Sequence, residues 1–169
     1  MKKKTIWNFK YKGISCEVVN WHFELEDDYF KQVNPTGNWN GYIYIFKQQL
    51  PRQFKKLLCR QYSHRLGKSS PLRKSWKYSE LESYFEMHGG ITYYELLLDE
   101  FTGEPKGIKV GCDYMHLYDN GYYYDENIVK KDLQDSVDKF ITYFPNYLVW
   151  DQKDGKLRKL SELATKQEE

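Results

Sequence analysis

Trp7, Phe9 and Tyr11 alternate with polar neighbours, a Lys12-Gly13 break follows, and Ile14, Cys16 and Val18 resume the alternation. Two period-2 runs on either side of a glycine predict a β-hairpin, because alternate side chains on a strand share one face. This commits the start of the chain to antiparallel pairing. A turn at Asn34-Pro35-Thr36-Gly37-Asn38 leads into Trp39-Asn40-Gly41-Tyr42-Ile43-Tyr44-Ile45-Phe46, an aromatic and β-branched run with little polar relief. It predicts a central strand buried on both faces. The chain carries sixteen Tyr, nine Phe and five Trp, 18% of its residues. Tyr and Trp cover large areas while keeping a polar tip, so this content suits half-buried strands and interfaces.

Further along, Tyr84 to Met87 fits either a strand or a helix end. After Gly89-Gly90, Ile91 to Leu98 reads as a strand, Phe101 to Lys106 as a turn with Gly103 and Pro105, and Gly107 to Cys112 as the partner strand. Val129, Leu133, Val137, Phe140, Ile141 and Phe144 recur on one helical face, with Asp125 or Asn127 as cap and Pro145 as the stop. Tyr147 to Trp150 reads as a last strand. Pro51 opens a short basic helix with Phe54, Leu57 and Leu58 as its apolar stripe. The resulting fold class is α+β. A single domain spans 1–155, mainly an antiparallel sheet with one long helix in the C-terminal half. A polar tail follows at 156–169, with a short helix through Leu157, Leu160 and Leu163.

The net charge of +2 hides a division. Residues 47–79 hold ten Lys or Arg and no acid, whereas 80–135 hold thirteen acids against four Lys or Arg. Such a chain offers one basic and one acidic surface, a pattern that favours a charged macromolecular partner or self-association. Cys16, Cys59 and Cys112 are widely separated and odd in number, so neither a disulfide framework nor a cysteine zinc finger is indicated. The basic start has no apolar run behind it and no stretch reaches transmembrane length, so a reducing, cytoplasmic setting is expected.

Two short motifs hold the chemistry: His88-Gly89-Gly90 and Asp113-x-x-His116-x-x-Asp119. They sit at opposite ends of the expected hairpin in sequence, and antiparallel pairing brings such ends together in space. Imidazole and carboxylate suit zinc, and also manganese, iron or nickel. The candidate metal ligands are therefore His88, Asp113, His116 and Asp119, with zinc (Zn2+) as the expected ion. Cys112 neighbours Asp113, but adjacent strand residues face opposite sides, so the two should not both point inward.

His88-Gly89-Gly90-Ile91-Thr92-Tyr93 and Val110-Gly111-Cys112-Asp113-Tyr114-Met115-His116-Leu117-Tyr118-Asp119 resemble a family of small phage and prophage proteins. Its pattern is H-G-G-[LI]-T-[YF] followed by [IV]-G-F-D-x-x-H-x-x-D. The strand from Trp39 and the helix after Val129 also have counterparts there, so the resemblance spans roughly residues 39–145. Cys112 stands where the family usually has Phe. The resemblance implies His88, Asp113 and His116 as a shared polar centre. The chain also looks like the anti-CRISPR inhibitors of Cas9 carried by Gram-positive prophages.

Three functions follow as expectations. The first is a metal-binding, phage-derived inhibitor that binds a host defence nuclease such as Cas9, or its guide-RNA complex, in the host bacterial cytoplasm. Its acids would compete with nucleic acid for a basic channel. Its basic surface, Arg52, Lys55, Lys56, Arg60, Arg65, Lys68, Arg73 and Lys74, would grip a protein face or guide RNA. The second is a metal-dependent hydrolase of a phosphate ester or nucleotide. Glu86 or Asp119 would be its base, and Arg65, Lys68 or Arg73 would clamp the anion. The third is a nucleic-acid-binding protein that stacks bases on Tyr62, Trp76 and Tyr78.

Overall fold

The structure is a computed structural model, and it describes residues 2–23, 37–46, 83–114, 123–151 and 155–159. Strands β1 (Lys2–Tyr11) and β2 (Ile14–Phe23) form the expected hairpin, in register from Lys2↔Phe23 to Tyr11↔Ile14. Lys12 and Gly13 both have positive φ, 46° and 76°. That pair of left-handed residues makes the tight turn whose twist matches the flanking strands. Lys12 Nζ donates to Asp138 at 2.7 Å, which fastens the turn to the helix.

Strand β3 (Asn38–Phe46) pairs with β2 on one side. On its other side it pairs with β5 (Pro105–Asp113), which also pairs with β4 (Tyr93–Leu98). All pairings are antiparallel, and the strand order is β1-β2-β3-β5-β4. The β4–β5 hairpin and the central position of β3 are as the alternation predicts. Helix α1 (Glu126–Tyr143) follows, then β6 (Leu148–Asp151) paired with β7 (Lys156–Lys159) in a separate two-stranded ribbon. The protein is a single α+β domain.

Pairing register sorts the sheet into two faces. Val18, Gly41 and Cys112 lie opposite one another across three strands, as do Cys16, Ile43 and Val110. Ile45 and Ile108 form the next pair, beside Ile14 at the start of β2. This face is buried and receives Val129, Leu133, Val137 and Phe140 of α1. A Cβ on Gly41 would lie 3.0 Å from Leu133 Cδ2, so the glycine lets helix and sheet approach closely. Phe85, Met87 and Ile91, from the segment before β4, fill the same core, with Phe85 stacked on Phe140. Val149 of β6 packs over Gly13, closing the end of the first hairpin.

The helix begins at its expected cap. The Asp125 side chain accepts the Ile128 N–H at 2.8 Å, and Phe144 closes the last turn one residue before Pro145. Among the described residues no helix is long and apolar enough to cross a membrane.

Three expectations need revision. β3 is buried on one face only, alternating buried and half-buried residues, because α1 covers one side of the sheet. Residues 85–87 are neither strand nor helix. Residues 156–159 form β7 rather than the start of a tail helix, since Leu157 sits opposite Trp150 in the ribbon. The basic helix expected after Pro51 lies outside the described residues.

Candidate functional site at the open end of the β4–β5 hairpin

The His88-Gly89-Gly90-Ile91-Thr92 segment is built as a turn and an anchor. Gly89 and Gly90 both have positive φ, 62° and 91°, and the Gly90 N–H bonds Met87 O at 2.9 Å. Side chains rarely adopt that conformation, so the glycine pair is needed for backbone reasons. Ile91 is buried in the core. Thr92 ties the two motifs together: its N–H donates to Gly111 O, and its Oγ1 accepts from the Asp113 N–H, both at 3.0 Å.

His88 is thereby laid flat on Tyr114, with ring centroids 4.7 Å apart and planes 8° apart. Tyr124 meets both rings edge-on, and its hydroxyl is 3.3 Å from His88 Nε2. Tyr114 is almost fully buried. Its N–H donates to Trp39 O at 3.0 Å, and its hydroxyl donates to Asp132 Oδ2 of α1 at 3.1 Å. Burial raises the Asp132 carboxyl above its ordinary range, opposed by the Tyr114 bond and the nearby His88. Burial also pushes the Cys112 thiol up to about 12, opposed by contacts with Tyr114 and the His88 backbone. These groups join β5, the glycine turn and the helix.

Asp113 follows Cys112 at the end of β5. Cys112 points to the helix side, so strand alternation sets Asp113 on the opposite face, while His88 packs on Tyr114. Among the described residues no three His, Cys, Asp or Glu side chains come together as a metal group. His116 and Asp119 lie outside the described residues. So do Arg52, Lys55, Lys56, Arg60, Arg65, Lys68, Arg73 and Lys74, and the stacking candidates Tyr62, Trp76 and Tyr78.

Two features have no counterpart among the sequence expectations. On the second face of the sheet, Lys109 pairs with Glu17 at 2.9 Å, each side chain only 15% exposed. The ammonium sits 4.0 Å from the Tyr42 ring centre, 4.9 Å from Tyr44 and 5.8 Å from Tyr93. Burial lowers the Lys109 pKa, but its bonds to Tyr44 and Glu17 more than offset this and leave it raised. The signal in the sequence is Gly107-x-Lys109-x-Gly111 facing Tyr42-x-Tyr44. Gly111 leaves no room for a Cβ, which would fall 2.3 Å from Tyr42 Cδ1.

The second is the closed end of the same hairpin. Asp99 Oδ1 accepts from the Phe101 N–H, the Thr102 N–H and the Thr102 hydroxyl, at 3.0, 2.9 and 3.1 Å. These bonds hold the Asp99 carboxyl below its usual range. Gly103, at φ 68°, completes the turn. The result presents Phe101, 97% exposed, between Glu100 and Glu104. No family model matches this chain, and neither does any curated protein or solved structure with which it was compared.

Proposed function

We propose that the protein acts by binding, as an inhibitor that occupies a basic nucleic-acid channel of a host defence nuclease such as Cas9. One observation carries this reading: the Asp99–Glu104 turn. Phe101 stands 97% exposed on a turn that the Asp99 carboxylate orders, with exposed Glu100 and Glu104 beside it in sequence, so an aromatic ring and two carboxylates are available together to a partner. Aromatic anchors on ordered turns supply much of the energy of protein interfaces, because little conformational freedom is lost on docking. The flanking carboxylates match a surface that would otherwise hold phosphates, and they would speed and orient capture. The resemblance to phage proteins supplies the class of partner.

The metal part of the reading keeps His88, Asp113, His116 and Asp119 as the ligand set, in a structural role, with His88 held in place by its stack on Tyr114. Metal content by mass spectrometry tests it: equimolar zinc in the wild type, lost in His116→Ala, supports the centre, and metal-free protein overturns it.

The binding reading is tested with purified Cas9, free and guide-loaded, by interferometry. Phe101→Ala should weaken binding at least about tenfold, as for an interface anchor. The paired change Glu100→Gln and Glu104→Gln should slow association and flatten its salt dependence. Wild-type protein that binds neither form of Cas9 would overturn the choice of partner, and equal binding by Phe101→Ala would overturn the assigned contact.

A further inference from the structure

The face of the sheet turned away from α1 is chemically graded. Toward β1 it carries exposed Lys4 and Lys10, with Lys4 4.8 Å above the Trp21 ring. Toward β4 it carries Glu95 and, at the end of β5, Asp113. Over the basic half lies a depression of about 510 Å³ whose lining includes Asn8, Lys10, Ser15, Tyr44 and Phe46. The register explains the grouping: Lys10, Ser15 and Tyr44 are direct cross-strand neighbours, and Phe46 follows Tyr44 on the same face.

We propose that this depression is a binding site for single-stranded nucleic acid. Two aromatic rings two residues apart on one strand offer successive stacking surfaces to splayed bases, which a duplex does not expose. Asn8 and Ser15 supply amide and hydroxyl groups for base edges or sugar. Exposed Lys10 lines the depression, where a phosphate would sit; Glu17, opposite Asn8 on the same face, is paired with Lys109, and exposed Glu95 lies on β4, so the strand follows β1–β3 and avoids β4. A volume of about 510 Å³ is within the range of small-ligand sites, roughly 300–1,000 Å³, enough for a nucleotide. The rings commit the occupant: an acidic peptide would offer a carboxylate to Lys10 but no succession of flat π-faces for Tyr44 and Phe46.

The test is fluorescence anisotropy of the full chain with labelled oligo(dT), oligo(U) and a duplex of equal length, over a range of salt. Single strands should bind and the duplex should not, with affinity falling as salt rises. Lys10→Gln should lower the salt slope by about 0.7. Tyr44→Ala should weaken binding about tenfold, while Tyr44→Phe, which keeps the stacking ring, restores it. A preference for oligo(U) would assign RNA through its 2′-hydroxyls, and equal binding would assign either strand. Tyr44 also touches Lys109, so thermal unfolding of each variant accompanies the titration, and exposed Lys10 carries the test if Tyr44→Ala fails to fold. Absence of single-strand binding at low salt would overturn the proposal. So would binding that Lys10→Gln and a folded Tyr44→Ala both leave unchanged. The assay contains no nuclease, so its failure and the failure of the inhibitor reading are separable.

Discussion

At the scale of single residues, the motifs do structural work that their letters alone do not announce. Gly89 and Gly90 supply left-handed backbone, Thr92 bridges to Asp113, and His88 stacks on Tyr114. A His beside two glycines reads from sequence as a ligand, because the sequence shows its neighbours along the chain and not the rings that follow β5 and precede α1. The spatial convergence of the two motifs is legible, since antiparallel pairing dictates it. The setting of His88 is not legible: alternation separates Cys112 from Asp113, but nothing in the sequence says that His88 stacks on Tyr114. The thiols give a direct check. Cys16 and Cys112 are buried and both are pushed up to about 12 by burial. Since the thiolate is the reactive form, both should resist alkylation at about pH 8 in the native state and react fully in urea. Mass spectrometry of peptides after a short iodoacetamide pulse reads this, and native labelling at Cys112 would contradict its packing against the helix. At Gly111 an added methyl meets the Tyr42 ring and the Gly41 carbonyl. Gly111→Ala should therefore cost about 1–3 kcal/mol, lowering the Tm by roughly 5 °C in a thermal melt.

At the scale of elements, periodicity is a reliable guide wherever one face meets the core. The β1–β2 and β4–β5 hairpins, β3 and α1 all follow from it. It fails where packing decides. The sequence suggests burial of β3 on both faces because its polar positions are tyrosines, whose rings read as apolar. Their neighbour Lys109 keeps that face polar and half-buried. Leu157 fits a helical period with the nearby leucines, but Leu148–Asp151 offers a strand to pair with. Two substitutions test elements. Asp125→Ala removes the N-cap acceptor of α1 and should destabilise the protein by about 1 kcal/mol in urea unfolding. Lys109→Met leaves Glu17 without its cation in a half-buried site and should cost roughly 3 kcal/mol. Adding Glu17→Gln to that variant should recover part of the loss, because the uncompensated charge is gone. Equal stability of the single and double variants would mean that the pair contributes little.

At the scale of the whole molecule, the charge division is legible by counting, but its spatial form is not. The acids of 80–135 order the turn that carries Phe101 through Asp99 and reach the aromatic cluster through Asp132. Phe101 reads only as a turn residue, because turn propensity says nothing about how far a side chain projects. Buried acidic hydroxyls and thiols set the response to pH. Burial raises Cys16, Cys112, Tyr94, Tyr114 and Tyr147 in the folded state. In the unfolded chain these groups ionise near pH 8.5 for thiols and about 10 for phenols. Stability from keeping them neutral is complete below those values and is lost as pH rises toward the folded values. The urea midpoint should therefore fall progressively above about pH 9, and a midpoint still flat at about pH 11 would contradict the burial of these groups.

Across these scales the folded core serves as a scaffold, and the ordered acidic turn is the part proposed to make the contact. Affinity for guide-free and guide-loaded Cas9, measured for wild type and Phe101→Ala under one salt condition, tests this most directly. The wild type should form a clear complex, and Phe101→Ala one at least about tenfold weaker, with the two proteins equally stable. Undiminished binding by the variant, or no complex with either form of the nuclease, would contradict it.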